Sequence, residues 1–126
     1  MRIHGDFNTN NVVYDPRLDA VHFIDVHRSG PGDYAQDIGV FVVSSLRNPI
    51  PNPALIVEVE HLNEQVLNFT GEFARQQGDS AFAVRLELSM ARSLITSARL
   101  LSDPEFARDL YLQGVARLER VAARVT

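Results

Sequence analysis

His4-Gly5-Asp6-Phe7-Asn8-Thr9-Asn10-Asn11, with Ile24-Asp25 further on, is the stretch from which the rest of the chain can be read. Between the two motifs, Asn11-Val12-Val13-Tyr14 is a β-branched run and Asp15-Pro16-Arg17-Leu18-Asp19 has turn chemistry. Val21 to Ile24 then returns to apolar character, which predicts a two-stranded hairpin. Asn11 opens the first strand and Asp25 closes the second. Antiparallel pairing puts those ends side by side, so the sequence expects an Asn carbonyl and an Asp carboxylate to share one end of a hairpin, next to the loop that carries Asp6.

Those residue types suit one kind of chemistry. Phosphoryl transfer asks a protein to place an acceptor hydroxyl in line and to neutralise charge on the phosphates with divalent cations. A loop carboxylate can accept the hydroxyl's proton. Mg²⁺ prefers a few hard oxygen ligands and keeps several waters, so one Asn carbonyl and one Asp carboxylate suffice from the protein. Asp6 and Asn11 are separated as in the D-x-x-x-x-N catalytic loop, where the Asp is the base and the Asn a metal ligand. The arginine that usually precedes that Asp is Gly5 here.

The order His4-Gly5-Asp6, Asn11, Ile24-Asp25, Gly32-Asp33 and Asp37-Ile38-Gly39 resembles the aminoglycoside and choline phosphotransferase family of kinase-like enzymes. The resemblance implies Asp6 as catalytic base, Asn11 and Asp25 as magnesium ligands, and His4 and Asp37 as braces of the loop. Asp33 would shape the segment after the metal ligand. Implied cofactors are Mg²⁺ and a nucleoside triphosphate, ATP or GTP, and the implied acceptor is a hydroxyl on a small molecule. The chain departs from the family pattern after Ile24-Asp25, where Val26-His27-Arg28 replaces the usual Trp or similar large residue. All 12 basic residues are arginine, so the triphosphate-pairing lysine of the family is missing. Only three residues precede His4, and the expectation is therefore a C-terminal lobe, a fragment that lacks its nucleotide-gripping N-terminal lobe. It would be weak or inactive alone and prone to self-association. Two other readings are a half-enzyme completed by a separate chain and a catalytically silent binding or regulatory module.

Composition bounds the rest. A chain of 126 residues fits one domain and can bury roughly two thirds of its unfolded surface. There are no cysteines, which excludes disulfides and thiolate metal sites. No basic-then-apolar leader and no apolar run of about 18 residues is present, so the expectation is a soluble, cytoplasmic protein without membrane contact. A net charge of -4 argues against nucleic acid as partner and favours a cationic or neutral acceptor.

Beyond the loops the chain reads as helix. Asp33 is placed to cap a helix from Tyr34 to about Leu46, nearly apolar throughout, and Asn48-Pro49-Ile50-Pro51-Asn52-Pro53 breaks it. A second helix starts at Asn52-Pro53, with an apolar stripe at Leu55, Val59, Leu62, Val66, Phe69 and Phe73, and ends at Gly78. Asp79 or Ser80 would cap a third, with Val84, Leu88, Ala91, Ile95 and Ala98 on its core face. Asp103-Pro104-Glu105 starts the last, lined by Ala107, Leu110, Gly114, Leu118 and Val121. The fold expected is mainly α with a small β-hairpin (α+β), a kinase-like C-terminal lobe over 1–126, with the catalytic loop and metal hairpin in 1–26 and the helical part in 33–126. Arg85, Arg92 and Arg99, at spacing seven, would suit an anion-binding stripe but read as a solvated face, and Glu58, Glu60 and Glu64 could form an acidic wall for a cationic acceptor but read as an exposed helix face. His27 and Arg28 are read either as phosphate or substrate contacts or as an exposed loop pair.

Overall fold

The computed structural model describes residues 1–48 and 50–126, so the part of the helix break that falls on Pro49 lies outside the described residues. The hairpin forms as expected. Strands β2 (Val12–Asp15) and β3 (Ala20–Phe23) pair antiparallel with Val12 opposite Phe23, and Ile24 N–H donates to Asn11 O at 3.0 Å. That last bond ties the Asn11 and Asp25 ends together. A second, smaller pairing was not legible in the sequence: β1 (Arg2–Ile3) runs antiparallel to β4 (Gly30–Pro31), and Gly32 N–H donates to Met1 O. The segments expected to be plain loops thus clamp each other across the start of the chain.

Four helices make up the remainder: α1 (Tyr34–Arg47), α2 (Pro53–Gln76), α3 (Phe82–Ala98) and α4 (Pro104–Val125). Each start except that of α3 carries the cap its sequence signals. Asp33, Asn52 and Asp103 accept from the amides of Ala35, Ala54 and Glu105. Helix α3 begins instead from Ala81 with no side-chain cap, because the Asp79 carboxylate is engaged by Arg85 and Tyr34. The main core is Phe41, Val42 and Val43 of α1 against Met90 and Leu94 of α3 and Leu110 of α4. Two glycines set the spacing of these layers. A Cβ on Gly39 would collide with Ser89, and one on Gly114 would lie 2.6 Å from Ile95 Cγ1 and 3.0 Å from Ala91 O.

The faces of α2 and α3 differ from those the periodicity suggests. Leu55, Leu62 and Phe69 of the α2 stripe are exposed, and Asn63, Thr70 and Ala74 are buried in their place. The seam between α1 and α2 is partly polar. Asn63 Nδ2 donates to Ser45 Oγ at 2.7 Å, and Ser45 Oγ donates in turn to Val42 O. The Asn63 amide is thus paired across the seam through its nitrogen only, and its buried Oδ1 has no partner among the described residues, an arrangement that counting apolar residues cannot anticipate. On α3, Leu88 is exposed, and Phe82, Met90 and Leu94 turn toward the core.

Candidate active site

The loop from His4 to Asn11 is held from three directions. From α1, the Asp37 carboxylate accepts from the backbone N–H of His4 at 2.6 Å and of Gly5 at 3.0 Å. Two turns further along the same helix, Ser44 Oγ accepts from Thr9 N–H at 2.9 Å. Residues seven apart lie on one face of a helix, so α1 grips the loop at both ends with one side. From the hairpin side, the His4 ring accepts from Asp6 N–H at Nδ1, which leaves its proton on Nε2 to donate to Ile24 O at 2.9 Å. His4 therefore links the Asp6 turn to the residue before Asp25. From below, Phe7 stacks on Phe41 of the core and meets Phe23 edge-on, with centroids 5.3 Å and 5.5 Å away.

Gly5 stands where related loops carry Arg for two reasons. Its φ is +84, in the left-handed region, and a Cβ there would run into the backbone carbonyl of Arg28. That close approach brings the turn Val26–Arg28 against the loop, and Arg28 Nη1 lies 3.5 Å from Asp6 Oδ2. The other Asp6 oxygen accepts from Asn8 Nδ2 at 3.1 Å.

Asn11 is buried, and its Nδ2 donates to the carbonyl of Asp6 at 2.9 Å. This fixes the amide so that Oδ1 is its remaining polar atom. Asp25 is exposed, has left-handed backbone (φ 57, ψ 46), and accepts from His27 Nδ1 at 2.6 Å. A non-glycine residue in that region costs of order 1 kcal/mol, and such strain collects at functional positions. The donor set is one carboxamide oxygen and one carboxylate oxygen. Among the described residues no group of three or more His, Cys, Asp or Glu side chains could hold a metal. A carboxamide oxygen and a carboxylate oxygen would, if they held a cation together, suit a hard one that takes most of its ligands from water and phosphate, and would not suit zinc.

Asp33 caps α1 and also meets Arg85, with Nε 2.7 Å from Oδ2. Arg85 reaches Asp79 at 2.7 Å as well, and Tyr34 donates its hydroxyl to the same Asp79. The hydrogen bonds from Arg85 and then from Tyr34 hold the Asp79 carboxyl far below the usual carboxylate range. Burial, then the bond to Asp79, pushes the Tyr34 phenol up. This network joins α1 to α3 away from Asp6. Arg85 is thus structural rather than part of a solvated row.

Arg92 and Arg99 are exposed, as a solvated face requires, but they are not featureless surface. They line a cleft of about 300 Å³ with Gly5, Asp6 and Arg28 on one side and Gln36, Val40 and Arg47 of α1 on another. Ser89, Ser93 and Thr96 complete its α3 wall. The signal was present as a polar stripe at helical spacing, Ser89, Arg92, Ser93, Thr96 and Arg99, on a helix whose opposite side is core. Nothing in the spacing said that Asp6 would face it. Glu58, Glu60 and Glu64 stay exposed on α2, outside this cleft.

No helix among the described residues is long and apolar enough to cross a membrane. No curated protein and no solved structure matches the chain. Compared against family models, residues 1–85 match that of the Phosphotransferase enzyme family, a span that takes in the catalytic-type loop, the hairpin, α1, α2 and the start of α3. With that match over more than half its length, and with the loop, hairpin and helical layers its motifs led one to expect, the chain belongs to the phosphotransferase enzyme family.

Proposed function

We propose that this chain transfers the terminal phosphoryl group of a nucleoside triphosphate to a hydroxyl on a small molecule, with Asp6 as the base. The observation that carries the reading is the wiring of one loop: Asn11 is fixed through the Asp6 carbonyl, and His4 connects Asp6 to the strand end that presents Asp25. Asp6 opens to a cleft large enough for a small acceptor. In this reading Asp6 takes the acceptor's proton as the acceptor's oxygen bonds to the terminal phosphorus and the bond from that phosphorus to the leaving nucleoside diphosphate breaks. Asn8 and Arg28 keep the carboxylate aimed, and Asp37 and Ser44 keep the loop rigid. Asn11 Oδ1 and Asp25 would hold Mg²⁺. When bound, that ion neutralises charge on the phosphates of the donor, ATP or GTP.

Phosphate positioning in this reading also calls for the triphosphate-pairing lysine of the family, and the sequence has no lysine. We therefore propose that a nucleotide-gripping lobe completes the site, and that this chain alone transfers phosphate slowly.

The test is calorimetry of nucleotide binding with and without Mg²⁺, on the wild type beside Asp25→Ala. Heat that needs Mg²⁺ and vanishes in the variant supports the reading. Heat that is unchanged in Asp25→Ala, or independent of Mg²⁺, refutes the assignment of Asp25.

A further inference from the structure

The cleft beside Asp6 has the wrong charge for the cationic or neutral acceptor that a net charge of -4 favours. Arg28, Arg47, Arg92 and Arg99 line it, and Asp6 is its one carboxylate. Outside the cleft, Arg17, Arg75, Arg85 and Arg117 each have a carboxylate partner, whereas Arg2, Arg108, Arg120 and Arg124 are, like the cleft arginines, without one among the described residues but are not gathered on one concave surface. Among the described residues Arg47, Arg92 and Arg99 have none, and Arg47 makes only a 3.4 Å bond to Ser97 Oγ. Three guanidinium groups on one concave surface, without counter-charge from the protein, leave that charge to be supplied by what binds. The hydroxyls of Ser93 and Thr96 between them add neutral partners for oxygen. Asp6 belongs to this cleft while Asn11 and Asp25 do not, so the basic wall lies on a side of Asp6 apart from the metal pair.

We propose that the acceptor of this phosphotransferase is an anionic hydroxyl compound whose oxyanion, a carboxylate or phosphate, is bound by Arg92 and Arg99 with Arg47 while its hydroxyl lies at Asp6. The inference rests on the phosphoryl-transfer reading above and names its substrate class. Guanidinium forks match carboxylate and phosphate geometry with paired hydrogen bonds, which ammonium and neutral alcohols cannot return. Arg28, 3.5 Å from Asp6, is the arginine of this cleft that the base itself partners.

The experiment is calorimetric titration of the chain with glycerol 3-phosphate, glycerol and choline, without nucleotide and both without and with Mg²⁺, comparing wild type with Arg92→Gln/Arg99→Gln and Asp25→Ala. Both arginines are exposed, so the double variant keeps the wild-type far-ultraviolet circular dichroism and unfolding midpoint. The expected result is binding of glycerol 3-phosphate alone among the three. It should weaken about tenfold or more in the double variant, as loss of charged hydrogen bonds implies, and stay unchanged in Asp25→Ala. Equal affinity in wild type and double variant, or preference for choline, overturns the proposal. Binding that requires Mg²⁺ and disappears in Asp25→Ala assigns the oxyanion to the donor's phosphates and overturns it too. The broader reading fails separately: if Mg²⁺-dependent nucleotide binding is absent but glycerol 3-phosphate still depends on Arg92 and Arg99, the oxyanion site stands and phosphoryl transfer does not.

Discussion

Helices α1, α3 and α4 bury the apolar side chains that face one another, whereas the β2–β3 hairpin leaves Val13, Tyr14, Val21 and Phe23 largely exposed. A lone two-stranded hairpin is marginal in water, so this one depends on its anchors: Phe7 on Phe41, His4 on Ile24 O, and the backbone pairing at Asn11. The difference separates two tasks. Stability resides in the bundle, where close packing is worth several kcal/mol per side chain. The site resides on a thin element pinned by a few directional bonds, so side chains there can be chosen for chemistry with little consequence for folding.

The comparison can be broken most sharply in the core. Leu110, 2% exposed, touches the centre of the bundle, and Leu110→Ala should lower stability by about 2–5 kcal/mol, read as a drop in the urea midpoint. A loss below about 1 kcal/mol would mean the bundle is not the stabilising unit. Next comes the joint between the regions. Asp37→Ala strands the amides of His4 and Gly5 and should cost about 1–3 kcal/mol. Amide exchange should rise from His4 to Asn11 while α4 stays protected; uniform loosening of the whole chain would contradict a local clamp.

Acid sharpens the picture on the bundle side. Asp79 titrates lower folded than unfolded, so its contribution is full above the unfolded carboxyl value, roughly pH 4, and is lost as pH falls below it. Urea midpoints of the wild type should therefore decline below about pH 4 more steeply than those of Asp79→Asn. Parallel curves would remove Asp79 from the account. The smallest effect belongs to the hairpin: Val21→Thr should change stability by no more than about 0.5 kcal/mol. A larger loss would show that some other surface covers Val21.

The same division decides what could be read from the sequence. The loop, the hairpin that brings Asn11 and Asp25 to one end, and the caps at Asp33, Asn52 and Asp103 are local statements, made by residue types at fixed offsets, and they were legible. What escaped depends on partners distant in the chain. Ser44 reads as a small polar residue in an apolar helix until Thr9 is brought against it. Asn63 looks like an interruption of a stripe until its Nδ2 is seen to donate to Ser45 on the neighbouring helix. Arg85, Arg92 and Arg99 share one spacing yet have different fates, because the first meets Asp33 and Asp79 and the other two face Asp6 across a cleft. Periodicity finds the side of a helix; it does not say what stands opposite.

In the proposed mechanism the loop and hairpin bring Asn11 and Asp25 to one cation beside Asp6. The direct measurement is a titration with Mn²⁺ in place of Mg²⁺, in the presence of nucleotide, followed by paramagnetic broadening of backbone amides. Broadening should centre on Asn11, Ile24 and Asp25, spare α4 and the acidic run Glu58 to Glu64 on α2, and disappear in Asp25→Ala. Broadening centred on that α2 run, or none at the hairpin, would contradict the claim.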